Sequence, residues 1–523
     1  MSNMSAEWLK DRVFYNIYPQ SFYDSNGDGI GDLQGIIYKL DYIKEMGFSG
    51  IWINPIYESP FGDAGYDVTD FYKVAPRYGT NEDFERLAKE CKKRDIKIIL
   101  DLVAGHTSTE CEWFKKSSEF EKNEYSNRYI WTNSVWDSGS GYGGFIGGAS
   151  ERDGCYMKNF FYFQPALNYG FKNIEKDWQL PMDHPDCLKT RDELIKIMKY
   201  WCGLGADGFR VDMAASLIKN DPEKVGIKEL WRYVKSELKK EYPQAILVSE
   251  WSYPKDAIAS GFDVDFIIHF HLKAYNTLFR YEKGMNPSDE WIGNSYFRSA
   301  GKGDIDEFLD EYLEHYNATK NDGYISIPSG NHDLPRISKG RDFDDLKVAF
   351  AFLLTMPGIP FIYYGDEIGM KYIENLPSKE GGYNRTGSRT PMQWDSTKNK
   401  GFSIADETYL PVDNSIDATT VREQLEDNNS LLNTVRNLIE IRKKNDALWA
   451  DGGFEVIKKG YPFVYKRTGK ASSIIIAVNP SDNEAKVDLP TVCAVLAEKN
   501  VEREGSGIKF NKQSYIVYET TKF

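Results

Sequence analysis

The sequence is poor in the residues that staple small secreted or metal-bound domains. Its 523 residues include six cysteines, Cys91, Cys111, Cys155, Cys187, Cys202 and Cys493, scattered without CxxC or Cys/His spacing. This excludes a zinc cluster or a disulfide framework as the organising device and leaves reduced structural thiols as the expectation. Histidine is equally scarce, with six in all. No apolar run approaches the length of a membrane span, and the amino terminus, MSNMSAEWLKDRVFYNIYP, passes into a strand-like stretch without a signal segment, so a cytoplasmic protein with no membrane partner is expected. Positive charge is in deficit: 65 Lys and Arg face 79 Asp and Glu, a formal net charge of −14. Nucleic acid and anionic membranes would be repelled at long range, whereas a small neutral substrate would not. Neither an internal repeat nor a low-complexity tail is present.

What the chain does have is aromatic residues, including 34 Tyr and 12 Trp, and a regular alternation of short β-branched runs with segments of helical period. That alternation marks repeated βα units and a parallel sheet. Eight strands are predicted: 13–19, 50–55, 96–103, 208–213, 246–251, 264–270, 323–328 and 359–365. Helices are predicted at 33–47, 81–94, 190–205, 228–242, 305–320 and 346–358, with a further helix at 429–445. Eight such units close a (β/α)8 TIM barrel. The stretch 107–177, rich in Gly, Ser, Asn and aromatics, is long for a loop and is expected to be an inserted subdomain after the third strand, forming one wall of the site. The barrel then covers 1–106 and 178–448. From 449 to 523 the period shortens to strands (FEVIKK, FVYKR, SIIIAVNP, CAVLAE, SYIVYET), a C-terminal antiparallel β domain that either packs on the barrel or serves as a starch-binding module.

Three acids end apolar runs: Asp212 in GFRVDM, Glu250 in ILVSEW and Asp333 in GYISIPSGNHD. A parallel barrel gathers the C-terminal ends of its strands at one mouth, so acids far apart in sequence can meet around one substrate. Arg210 and Asp212 stand two apart and share a side of their strand. They form either a buried structural ion pair or a nucleophile held ionised by its cation. Glu250, between an apolar run and Trp251, is either a strand-end surface residue or a general acid kept protonated by desolvation. Such a pair, about 5–5.5 Å apart, suits retaining glycoside chemistry. His106, in DLVAGHT after Asp101, and His332, beside Asp333, are either structural or hydrogen-bond sugar hydroxyls as neutral rings. DSNGDGIGD (24–32) sets Asp24, Asn26, Asp28, the Ile30 carbonyl and Asp32 at alternate positions. It is either a turn or a Ca²⁺ (or Mg²⁺) loop resembling the first part of an EF-hand.

Together GFSGIWINPIYESP, DLVAGHT, GFRVDM, VSEW, SGNHD and PGIPFIYYGDEIGM resemble, in order and spacing, the α-amylase family of glycoside hydrolases (family 13) over most of residues 12–450. The resemblance implies Asp212 as nucleophile, Glu250 as acid/base and Asp333 as the third acid, with Arg210, His106, His332 and Tyr66 lining the same subsite. GYDVTD, QPALN and RTGSRTPMQWD are similar to the oligo-1,6-glucosidase and α-glucosidase branch. That implies exo release of glucose from short gluco-oligosaccharides, with Asp67 and Arg389 clamping the terminal unit. The alternatives are a transglycosylase or a sucrose- or trehalose-active isomerising enzyme and, more remotely, a non-catalytic sugar-binding relative. A structural ion at 24–32, no organic cofactor, and a monomer or weak homo-oligomer are expected. Three departures stand out. Ala166 replaces the Asp of QPDLN, and Met213 follows the nucleophile where a small residue is usual, which leaves α-1,4 against α-1,6 open. Gly105 replaces an Asn that ligates calcium in amylases, so that ion is not expected.

Overall fold

The computed structural model describes residues 6–139, 141–280, 295–300, 302–504 and 507–521. All eight predicted barrel strands are present: β1 Phe14–Ile17, β2 Gly50–Ile53, β3 Lys97–Leu102, β4 Gly208–Val211, β5 Ile246–Ser249, β6 Val264–Phe266, β7 Tyr324–Ser326 and β8 Phe361–Tyr363. They form one parallel sheet in the order β7-β6-β5-β4-β3-β2-β1-β8. Closure between β7 and β8 is made by single backbone bonds, Ile359 N to Ile325 O (3.2 Å) and Ser329 N to Phe361 O (3.0 Å).

Period-2 alternation sorts the residues of these strands. Phe14, Trp52, Ile99, Val248, Phe266 and Phe361 form an apolar plug inside the barrel, with Phe14 and Phe361 stacked at 4.6 Å. Two residues further along the same strands, on the same side, come Asn16, Asn54, Asp101 and Glu250. The change from apolar to polar within one strand face is what turns the upper end of the barrel into a site.

Helices form where amphipathic period and caps coincide. Asn81–Lys93 opens on a Thr80/Asp83 capping box and buries Phe84, Leu87, Ala88 and Cys91. Several boundaries differ from expectation, with 346–358 forming Phe343–Leu353 and 228–242 forming Val225–Lys239. The predicted 33–47 helix is split into Leu33–Tyr38 and Leu40–Glu45. The helix expected from 190 begins at Pro185, which occupies the first turn after the His184 cap, where a missing N–H costs nothing.

The stretch 107–177 carries the helix Glu112–Ser117 and a hairpin, Phe145–Gly147 with Cys155–Met157. It has a small core of Ile130, Met157, Ala166, Phe171 and Trp178. The C-terminal strands, Gly453–Lys458, Phe463–Thr468, Ser473–Asn479, Ala485–Asp488, Ala494–Glu504 and Gly507–Thr520, form one antiparallel sheet. Its Phe463, Tyr465, Ile474, Ile476 and Val517 belong to the same apolar cluster as the barrel helices. At the seam two buried arginines meet carbonyls. Arg442 donates to Leu354 O (2.9 Å) and Met356 O (3.0 Å), and Arg467 to Trp449 O (2.6 Å) and Thr355 O. The sheet is thus built into the barrel's flank. Among the described residues no helix is long and apolar enough to cross a membrane.

Candidate active site

Arg210 is the hub. It lies on β4, is 1% exposed, and meets three carboxylates: Asp101 Oδ1 at 2.7 Å, Asp212 Oδ1 at 3.2 Å and Glu250 Oε1 at 2.5 Å. One guanidinium therefore draws together groups from β3, β4 and β5. Trp52 Nε1–H (3.1 Å) and the Tyr66 hydroxyl (2.9 Å) donate to the other oxygen of Asp101. The Met213 N–H donates to Glu250 Oε2 (3.1 Å) from a left-handed backbone, φ +43°. Such a conformation is costly for a side-chain-bearing residue and persists where a site fixes it.

Three buried negative charges exceed one cation. Burial pushes Asp101 up to about 6, against the pull of Arg210. Burial and then the charge of Glu250 push Asp212 well above the usual carboxylate range, again against Arg210. The expectation was that Arg210 would keep Asp212 low while desolvation raised Glu250. For Asp212 the push is upward instead, because a single guanidinium shared three ways cannot offset both burial and a neighbouring carboxylate.

Asp333 sits opposite. Burial opposes its charge, but His332, Arg385, Arg389 and Arg210 outweigh that and hold its carboxyl well below the usual range. Arg385 donates to Asp333 Oδ1 at 2.6 Å, and Arg389 approaches it at 3.3 Å. His332 is pushed down to about 3 by burial and is a neutral ring at pH 7. The Asn54 amide lies 3.0 Å from its Nδ1, its Nε2 stands 3.2 Å from Asp333, and the ring stacks on Tyr66 at 5.2 Å.

Among the described residues Asp67 forms no ion pair with Arg389, whose partner is Asp333. Asp67 spends both oxygens on its own loop, accepting from Ser59 Oγ (3.0 Å), Asp63 N (3.0 Å) and Gly62 N (2.7 Å), and burial pushes it up to about 6. The acid that faces the arginines is Asp63, 3.3 Å from Arg385 and held by the Gln164 amide at 2.8 Å. Asp63 and Arg385 were not singled out from sequence, although Arg385 opens the RTGSRTPMQWD motif and Asp63 lies between two others. Gln164 gives the QPALN motif a physical role.

His106 has both ring nitrogens engaged, Nε2 with Tyr66 O (3.1 Å) and Nδ1 with the Asn159 amide (2.9 Å). Burial pushes it down to about 3. Asn159 comes from the inserted stretch and also lies 3.6 Å from Met213 Sδ. Gly105 is what admits it, since a Cβ there would meet Asn159 Nδ2 at 2.8 Å. The departure at 105 thus makes room for a residue of the insertion between His106 and the residue after Asp212.

In the loop 24–32 the acids cap their own turn. Asp24 accepts from Asn26 N (3.1 Å), Gly27 N (2.7 Å) and Gly29 N (2.8 Å). Asp28 accepts from Ile30 N (2.8 Å), and Asn26 Nδ2 donates to Asp28 (3.1 Å). Asp32 accepts from Ser25 N (2.9 Å) and caps the following helix through Gly35 N (2.6 Å). Among the described residues no three His, Cys, Asp or Glu side chains gather as a metal cluster. The oxygens suit a hard cation, but three acids do not converge as the alternate spacing implied, and no chemistry is routed through this loop.

Comparison with known proteins agrees with this geometry. Residues 16–451 match the family described as alpha amylase, catalytic domain. An oligo-1,6-glucosidase of Heyndrickxia coagulans is 31% identical over 99% of this chain and 100% of that protein. A glucan 1,6-alpha-glucosidase of Streptococcus pneumoniae is 30% identical over 96% and 97%. The crystal structure of the trehalulose synthase MutB from Pseudomonas mesoacidophila MX-45 superposes with a TM-score of 0.82 at 26% identity, covering 98% of this chain and 100% of that one. With its acids on the predicted strand ends and its barrel matched from end to end, the chain belongs to the alpha-amylase family of glycoside hydrolases.

Proposed function

We propose that this protein is a retaining, exo-acting α-glucosidase that removes single glucose units from the non-reducing ends of short gluco-oligosaccharides joined by α-1,4 or α-1,6 bonds. One observation carries the reading: Asp212 and Glu250 grip the same guanidinium, while Asp333, linked through Arg385 to Asp63, is near enough for its charge to act on Asp212. An Asp212 oxygen attacks the anomeric carbon as the bond to the glycosidic oxygen breaks, and Glu250 passes its proton to that oxygen. Glu250 then takes a proton from water, which attacks the same carbon and frees Asp212. Asp333 is held ionised where hydrogen bonds to sugar hydroxyls strengthen as the ring flattens. Asp63 with Arg385, rather than Asp67, are the groups placed to hold the terminal unit.

A second reading, transfer or isomerisation, draws on the exposed aromatics Phe160, Tyr162 and Tyr383, of which Phe160 lies 6.0 Å from the Arg385 guanidinium. A leaving sugar retained on such rings would intercept the intermediate before water. Initial rates and products on maltose, maltotriose, isomaltose, panose, sucrose and trehalose separate the two. The proposal expects free glucose as the main product and none from the Asp212→Ala protein. Wild-type release of nitrophenol from a nitrophenyl α-glucoside by Asp212→Ala would remove the assignment.

A further inference from the structure

Several buried acids take no part in the bond-breaking steps, and one of them stands beside the proton donor. Asp265, the middle residue of β6, is 0% exposed. It lies between Val264 and Phe266, which belong to the apolar plug, so by alternation it points away from the barrel interior and cannot touch a substrate. Its register partner on β5 is Ser249, the residue before Glu250.

The chain leaving β5 has an awkward path. It must aim Glu250 into the mouth and then turn outward, and it does so through Ser252 at φ +56°, a left-handed conformation in a residue other than glycine. Asp265 holds both ends of that turn. Its Oδ1 accepts from Ser249 Oγ (2.6 Å) and from Trp251 N (3.1 Å), and its Oδ2 accepts from Tyr253 N (2.9 Å). Two struts from the same neighbouring stretch complete the brace. Ile268 N donates to Ser252 Oγ (3.1 Å), and His271 Nδ1 meets Trp251 O (2.7 Å). The Glu250 N–H itself is tied to Val211 O (3.0 Å) on β4. Only an acceptor-only side chain meets this set of donors, because an amide would aim an N–H at one of them.

We propose that Asp265 is a positioning residue for the acid/base, fixing the backbone on both sides of Glu250 so that its carboxyl is aimed at the glycosidic oxygen. The inference rests on the assignment of Glu250 as proton donor. A group that aims the proton donor matters in proportion to how much the leaving group needs the proton. A sugar alkoxide needs it, whereas fluoride leaves without it.

The test compares D265N, S249A and E250Q with the wild-type enzyme on maltose or isomaltose, whichever is turned over faster, and on α-glucosyl fluoride. D265N is expected to lose about 30-fold in kcat/KM on the disaccharide and to stay within about threefold in kcat/KM on the fluoride, because kcat/KM reports the first bond cleavage, before Glu250 acts as base. S249A removes one donor and is expected to lose a few-fold on the disaccharide alone, which keeps the proposal testable if D265N does not fold. Equal losses on both substrates, or wild-type behaviour of both variants, overturn it. E250Q separates this inference from the reading beneath it. If its own loss in kcat/KM is equal on the two substrates, the acid/base assignment fails. If E250Q is leaving-group-dependent and neither D265N nor S249A is, only the positioning role fails.

Discussion

Arg210 serves three carboxylates with one planar fork, and that ratio sets the electrostatics of the mouth. A lysine keeps the charge but offers a point donor in place of a fork, so it cannot span Asp101, Asp212 and Glu250 together. R210K is expected to lose at least about 100-fold in kcat/KM, with Asp212 left harder to ionise and the acidic limb of the pH profile moved upward. A variant within threefold of wild type, with an unshifted limb, would show that the hub is dispensable. Arg210 and Asp212 were legible from sequence because two-residue spacing on a strand fixes a shared side. Asp63 was not. It stands four residues before Asp67 in a loop with left-handed Phe61 (φ +60°), Ala64 (φ +51°) and Gly65 (φ +92°), and no periodicity states which carboxylate such a loop turns to the pocket. Arg385 was missed for the same reason, as the arginine inside the 3-10 segment Tyr383–Ser388, with Arg389 just past its end.

At the level of elements, the C-terminal ends of the strands hold buried acids whose protons bear on stability. Glu367, just beyond β8, accepts from the Tyr15 and Tyr42 hydroxyls (2.6 and 2.7 Å), and its other oxygen is unpartnered. Burial pushes it up to about 7 from 4.5. The folded state therefore binds this proton more tightly than the unfolded chain does. Its contribution is present below about pH 4.5 and is lost as pH rises to about 7, by an amount on the order of 3 kcal/mol. E367Q stays neutral throughout, so its melting temperature is expected to fall less between pH 5 and pH 8 than that of the wild type. An identical fall would contradict the assignment. The loop 24–32 remains a proposed site for Ca²⁺ or Mg²⁺ on donor chemistry alone. The expected outcome is a melting temperature a few degrees higher in Ca²⁺ than in EDTA, and no such difference in D28N. Equal melting in both would leave a self-capped turn. Eight strands could be read from sequence because each is a short apolar run between turn residues. The helix starting at Pro185 was placed late because its first turn is polar and carries no hydrophobic period.

For the whole molecule, the net charge of −14 sits with a site that is itself acid-rich, consistent with a neutral sugar as substrate. The insertion reaches the centre through Asn159 and Gln164, and the terminal sheet shares the barrel's apolar cluster. Both connections were expected in outline, the insertion as a wall of the site and the sheet as a domain packed on the barrel, but the side chains that make them were not legible, because no periodicity states which residues a long loop brings back to the mouth. The central claim is that Asp212 forms a bond to the anomeric carbon. The most direct measurement is mass spectrometry of the enzyme after incubation with 5-fluoro-α-glucosyl fluoride, which slows release of the intermediate. The account predicts one fluoroglucosyl group per chain, on the peptide carrying Asp212 and absent from D212A. An adduct on the Glu250 peptide, or an enzyme that turns over this fluoride yet never carries the label, would contradict it.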